Sequence, residues 1–357
     1  MRRILISALL LACGTLSGGA RAGVYLASDN PADQPIGPLV TKDEVKPLPY
    51  ELFKGALDAQ RGLLADKLLS KEVEQKRQEI LKKIAALQGK VFADSATVND
   101  QINLSAYLIW TGKYTEAVQL LDPLARGEQR GNFMVLSNLA TAYQLAGQME
   151  RAPGYLQQAR DHWPEIWPGL TPEQLKFYRQ VENYQLRQLL RRQAEANQPG
   201  GGRRQHEGVD AIFGSADAPV RFVGAGGQYE AGALAPAEKE KLPKDALAIV
   251  QQLCLWQPLD TRLYWQYGEL LNAQGPEYIN EAYKVLEECV DPRNWDSTEL
   301  RAHRRTLLEN RPQPPAAQTP PSILPERHKL VLGGVAAVVV IGLLGYFQYR
   351  ELRRRRS

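Results

Sequence analysis

Residues 104–164 read LSAYLIWTGKYTEAVQLLDPLARGEQRGNFMVLSNLATAYQLAGQMERAPGYLQQARDHWP. Two helical hairpins of one pattern follow each other in this stretch. In the first, Leu104, Leu108, Gly112, Tyr114, Ala117 and Leu121 recur at helical spacing. In the second, Leu139, Tyr143, Gly147, Met149, Ala152 and Leu156 keep the same offsets. The two glycines are 35 residues apart. A repeated helix–turn–helix unit buries its apolar face only by stacking on its neighbours, so the stretch predicts an all-α repeat domain.

The pattern resembles the tetratricopeptide repeat, whose period is roughly 34 residues. Each unit has a small residue where two helices cross (Ser105, Ala140), a Gly before the turn (Gly112, Gly147) and an Ala facing back (Ala117, Ala152). Small residues let antiparallel helices approach, and Gly takes the backbone conformation that ends the first helix. Pro164 closes the second unit, as in the family. Pro123 departs from it and is expected to bend or stop the second helix of the first unit. The resemblance implies a concave groove lined by the first helix of each repeat. Asn103 and Asn138 hold the groove position, immediately before Leu104 and Leu139. An amide offers both donor and acceptor, so it pairs with a peptide unit whatever its side chain. Thr141 and Gln144 are expected on the same surface, and Gln266 at the matching place of a third unit. The plain alternative is a polar residue tolerated on an exposed helix face.

Outward from this core, residues 98–164 are the two repeats and residues 50–97 are expected to be helices capping their N-terminal end, with the charged run 71–83 a solvated face. Residues 165–197 form a long helix begun by a capping box, Thr171 with Gln174 and Pro172 in the first turn. On that helix Arg187, Arg191 and Arg192 read as solvated charge near its end, with an anion site as the alternative. Residues 198–242 are Gly-rich, with an expected hairpin between 220–223 and 228–230. They lack the Gly-Lys-Ser/Thr of a phosphate loop. Residues 243–310 hold a degenerate third repeat, where Leu263, Tyr267, Gly268, Leu271 and Gly275 renew the first-helix spacing. Seven residues separate Gly275 from Ala282, against five in the other units.

The ends carry targeting signals. Residues 1–22 begin with Arg2 and Arg3, followed by a short apolar core and a small-residue cleavage site before Gly23, as in a secretory signal peptide. The alternative is a lipoprotein signal ending at Cys13. Residues 23–49 form an extended arm. Residues 311–329 are a Pro-rich stalk, and residues 330–349 are twenty residues without a charge, long enough for one transmembrane helix. The basic tail, residues 350–357, places the C-terminus in the cytoplasm and the body outside it, as in a bacterial periplasm. The fold class expected is thus all-α: antiparallel helix hairpins in superhelical repeats, a short irregular or β insert and one transmembrane helix.

The net charge is +4, but the first 22 residues carry +3 and the chain from Glu326 carries +5, leaving a body of −4. A mildly acidic body argues against nucleic acid. His162, His206, His303 and His328 have no metal-ligand partner at helical spacing, and no nucleophile elbow appears, so neither enzyme, metal nor cofactor is expected. Cys254 and Cys289 can form a disulfide in an oxidising compartment or remain buried thiols. The function expected is a membrane-tethered scaffold or adaptor that binds a protein or peptide partner, with homo-oligomerisation open. The rival readings are an enzyme with a site at the Gly-rich insert and a self-associating structural component of the envelope.

Overall fold

Half of the described helices begin on side chains that satisfy their first free amides. Thr97 and Asp100 form a reciprocal box at the start of α3 (Val98–Trp110), and Thr171 and Gln174 do the same for α7 (Pro172–Ala196). Asn132 caps α5 (Phe133–Leu145), Asp260 caps α10 (Thr261–Asn272), and Ser297 caps α12 (Thr298–Asn310). The computed structural model describes residues 24–27, 37–65, 70–167, 170–198, 207–215 and 217–312. The chain divides into Met1–Arg311 and Pro312–Ser357, and the elements below belong to the first.

Among the described residues are twelve α-helices. The remaining ones are α1 (Tyr50–Leu64), α2 (Lys71–Phe92), α4 (Tyr114–Arg126), α6 (Ala152–Asp161), α8 (Pro236–Lys239), α9 (Ala246–Trp256) and α11 (Ile279–Val290). Sequential neighbours from α2 to α7 pack on one another, as do α9 to α12. Gly112 and Gly147 both sit at φ 78°, the left-handed conformation that ends α3 and α5. Ser105 and Ala140 are fully buried at the crossings. At the third crossing Gly268 leaves no room at all: a Cβ there would stand 2.3 Å from Leu286 Cδ1.

Pro123 neither bends α4 to a stop nor ends it early, since the helix runs on to Arg126. The proline removes one hydrogen bond, to the carbonyl of Gln119 four residues back. Gln119 is exposed, so water can replace the lost donor. The capping role expected of residues 50–97 is divided. Helix α2 packs on α3, whereas α1 also lies against α9. From there Phe53 meets Tyr267 at 4.5 Å between ring centroids. Arg61 donates to Pro258 O at 2.9 Å and to Glu288 at 2.6 Å, which ties α1 to the third hairpin.

The expected fold class needs two corrections. None of the described helices is long and apolar enough to cross a membrane. The longest, α2 and α7, carry charged residues along their length and bury one face. The segment expected to span, 330–349, lies outside the described residues, as do the signal peptide, Cys13, the stalk beyond residue 312 and the tail. The insert holds no hairpin at 220–230. Its described residues have one bridge, Gly214 to Pro219, and a turn in which Gly224 N–H donates to Gln228 O at 2.8 Å. The two-stranded sheet lies in the arm instead, β1 (Leu39–Val40) antiparallel to β2 (Val45–Lys46).

Candidate functional site: a groove holding an extended segment

Asn138 and Asn103 each hold an extended backbone, and that backbone is the chain's own arm. Asn138 Oδ1 accepts the Tyr25 N–H at 2.5 Å while Asn138 Nδ2 donates to Tyr25 O at 2.9 Å. Asn103 Oδ1 accepts the Ala27 N–H at 2.7 Å. Extended backbone repeats every two residues, so amides at one position of consecutive repeats meet alternate residues, 25 and 27. The same period sends alternate side chains to opposite sides. Tyr25 joins the larger apolar cluster, whereas Val24 and Leu26 join a second cluster built from α2 and α3.

Tyr25 is 1% exposed. Its ring lies 4.6 Å from Phe133 and 5.0 Å from Trp167, with Trp163 edge-on at 6.4 Å. Its hydroxyl donates to Glu182 Oε1 at 2.7 Å, and Ser137 donates to the same oxygen at 2.6 Å. Glu182 is fully buried on α7. Val24 lines a small cavity with Gln60, Leu64, Trp110, Tyr114, Leu255 and Trp256.

Thr141, Gln144 and Gln266 do not share that surface. Thr141 and Gln144 point into a buried chain of amides that joins α5, α7, the end of α9 and the insert. Gln185 Nε2 lies 3.5 Å from Thr141 Oγ1 and donates to Gln144 Oε1 at 2.9 Å. Gln144 donates to Gln257 at 2.5 Å, Gln257 to Gln188 at 3.1 Å, and Gln188 to Asp210 at 3.0 Å. Gln266 is buried within α10, and its Oε1 accepts no hydrogen bond. Asn103 is half-buried and Asn138 wholly so, which makes the latter part of the packing rather than an exposed polar residue.

The same device recurs where sequence reasoning missed it. Gln251 on α9 clamps Leu48, accepting its N–H at 2.7 Å and donating to its carbonyl at 2.8 Å. Asn272 on α10 accepts from Gly232 N–H at 2.6 Å and donates to Glu230 O at 2.9 Å. The arm and the insert are thus both held through their backbones by side-chain amides, the insert at a turn where Gly232 sits at φ 71°. A signal for the groove's far wall was present in α7: Glu182, Gln185 and Gln188, three residues apart, place polar groups on one face beside Val181, Leu186 and Leu189.

Arg192 is not solvated, contrary to the sequence reading. It forms paired bonds to Asp210 (2.9 and 2.6 Å) and to Asp260 (2.5 and 2.9 Å). Arg262 adds Glu195 at 2.8 Å and Asp210 at 3.4 Å. Burial pushes the Asp210 carboxyl upward, but the two guanidiniums outweigh it and hold its pKa below the usual range. Arg187 donates to the carbonyls of Ile212 and Gly214. These arginines fasten the insert to α7, and their carboxylate partners are spent on them. In this cluster the insert is tied down by charge. Among the described residues no group of three or more His, Cys, Asp or Glu is placed to hold a metal ion.

Cys254 and Cys289 are both free and buried. Burial pushes both thiols up, that of Cys289 to about 12, so neither is a ready nucleophile near neutral pH. His162 is exposed and its Nδ1 lies 2.9 Å from Gln158 O, while His206 and His328 fall outside the described residues. No family model matches this chain, and no curated protein is significantly similar to it.

His303 provides a pH-dependent tie. Its Nδ1 lies 2.8 Å from Glu269 Oε1, and its ring stacks on Tyr229 of the insert with centroids 3.7 Å apart. Trp265 donates to the same Glu269 oxygen at 2.5 Å. Burial lowers the His303 pKa, but Glu269 and then Glu299 outweigh it, so the net shift is upward. A raised pKa contributes stability that is full below the unfolded value, about 6.5, and lost as pH rises through the folded one. His303→Gln is therefore expected to cost about 2 kcal/mol near pH 6 and progressively less as pH rises above the unfolded value. Urea midpoints of both proteins across that range check it; a gap that widens with pH refutes the assignment.

Proposed function

We propose that this chain is a scaffold of the tetratricopeptide type that binds an extended protein segment, outside the cytoplasm, and holds it for other work. The observation that carries the reading is the use of Asn138 and Asn103. Amides at one position of consecutive hairpins take the backbone N–H and C=O of an extended segment, which recognises a chain without regard to its side chains. The location proposed rests on the leader-like residues 1–22.

Asn103→Ala tests this, because that side chain is half-buried and makes a single recorded bond to the segment. Losing one such bond is worth about 1 kcal/mol, roughly a fivefold weaker hold. With Tyr25→Ala in both chains, so that the arm does not compete for the same amide, crosslinking in intact cells should return correspondingly less partner from the Asn103→Ala variant while its melting temperature stays within a few degrees of its Tyr25→Ala parent. Equal recovery from both chains sinks the groove reading.

A further inference from the structure

We infer that the groove selects a tyrosine flanked by aliphatic residues, and that residues 24–27 are its built-in occupant, displaced when a partner presents a segment of the same chemistry. This deepens the scaffold reading and rests on it. Backbone recognition by Asn138 and Asn103 is indifferent to side chains, so selectivity has to come from the three pockets that the arm fills.

The central pocket specifies the phenol. Phe133, Trp163 and Trp167 surround the ring, and its hydroxyl meets Glu182, which is fully buried and also bonded to Ser137. A phenylalanine would fill the aromatic walls but withdraw a donor from a buried carboxylate, which is costly. A phosphotyrosine would bring about two negative charges against that carboxylate and is rejected. The flanking pockets are apolar, since Val24 and Leu26 are buried among α2, α3 and α9 residues. The occupant that fits is therefore an uncharged extended segment of aliphatic–Tyr–aliphatic–small pattern.

The arm fills this site incompletely. Trp256 lines the cavity beside Val24 and is 4% exposed, yet its indole N–H has no acceptor. A segment that places an acceptor there gains a bond the arm does not make. The arm's advantage is its tether: nine residues, 28–36, separate it from Gly37. A short tether gives an effective concentration on the order of millimolar. A free segment of about 10 μM affinity would thus bind the unmodified chain on the order of a hundredfold more weakly than the open groove.

The test uses the full chain and a fluorescent, end-capped peptide of the arm sequence, Gly-Val-Tyr-Leu-Ala-Ser, read by anisotropy. Tyr25→Ala empties the central pocket. Val24→Asp provides a second route, because Val24 is buried and no Lys, Arg or His lines the cavity beside it to pair a carboxylate. Either variant, checked for a cooperative melt, should bind the peptide at least tenfold more tightly than the unmodified chain. The peptide with Phe for Tyr should bind at least tenfold more weakly than the parent. Failure of both folded variants to bind overturns the displacement, and so does failure of both to fold, because the arm would then be an obligatory part of the core. Equal binding of the Phe peptide overturns the tyrosine selection and leaves the scaffold reading intact. Adding Asn138→Ala to an arm-released variant should weaken both peptides alike; retained affinity there sinks the amide clamp itself. An unmodified chain that sediments as a dimer, with monomeric Tyr25→Ala, would make a second copy the occupant and overturn partner displacement.

Discussion

Asp210→Ala is expected to lower the folding stability by about 3–5 kcal/mol, the cost of removing one partner from a buried ion pair. Asp210 is 2% exposed and bridges Arg192 and Arg262, with Gln188 donating to it as well. Truncation leaves two guanidiniums facing a void, and Asp260 and Glu195 are already engaged with them. The amide chain through Gln188, Gln257 and Gln144 loses its end point at the same time. For a body of this size the change corresponds to a fall in melting temperature on the order of 10 °C. Asp296→Ala is the control: its partner is Arg301 and its side chain is 83% exposed, so the melt should barely move. The pH dependence supplies a second check. A depressed carboxylate pKa contributes stability above the unfolded value, about 3.9, that is lost as pH falls through the folded one. The gap between the unmodified chain and Asp210→Ala should therefore close as pH drops into that acid range. A gap that persists there, or a melt unchanged at neutral pH, contradicts the account of the cluster.

Tyr25→Ala is expected to free the arm and leave the helices standing. It deletes a buried ring, a change of about 3–5 kcal/mol in well-packed cores, and a hydrogen bond to a carboxylate that is worth about 1.5–3 kcal/mol. The loss falls on residues 24–27, which precede all the described helices in the chain, so the expected cost is capped at the docking energy of the arm. Hydrogen exchange separates local from global effects. The amides of Tyr25 and Ala27, now held by Asn138 and Asn103, should exchange at least a hundredfold faster. Amides in α5 and α10 should keep most of their protection. If Tyr25 and Ala27 stay as protected as before, the ring does not hold the arm. If α5 loses protection equally, the arm is part of the cooperative core rather than a separable segment.

Local pattern and long-range partnership divide this protein between them. The helices were legible because helical periodicity, N-capping side chains and turn glycines act within a few residues. Gly112 and Gly147 end α3 and α5 in the conformation their positions required, and Thr171 with Gln174 starts α7. The resemblance of residues 104–164 singled out Asn103 and Asn138, whose amides bind a backbone. It was silent on whose backbone, because Asn138 and Tyr25 are 113 residues apart and nothing local links them. Charge misled in the same way. Arg192 looked solvated because the carboxylates that bury it come from residue 210 and residue 260. Gln144 looked like a groove residue because its partners, Gln185 and Gln257, lie on other elements. Pro123 ended no helix because tertiary packing holds α4 together and the carbonyl it orphans belongs to an exposed residue. The sequence by itself determined where helices start, turn and cross, since those are short-range matters of sterics and hydrogen bonding. Only the tertiary structure decided which polar side chains meet, and so docked residues 24–27 on the helices and made a tie of the arginines. A buried polar group is placed by the partner that satisfies it, and that partner is set by the packing of distant helices.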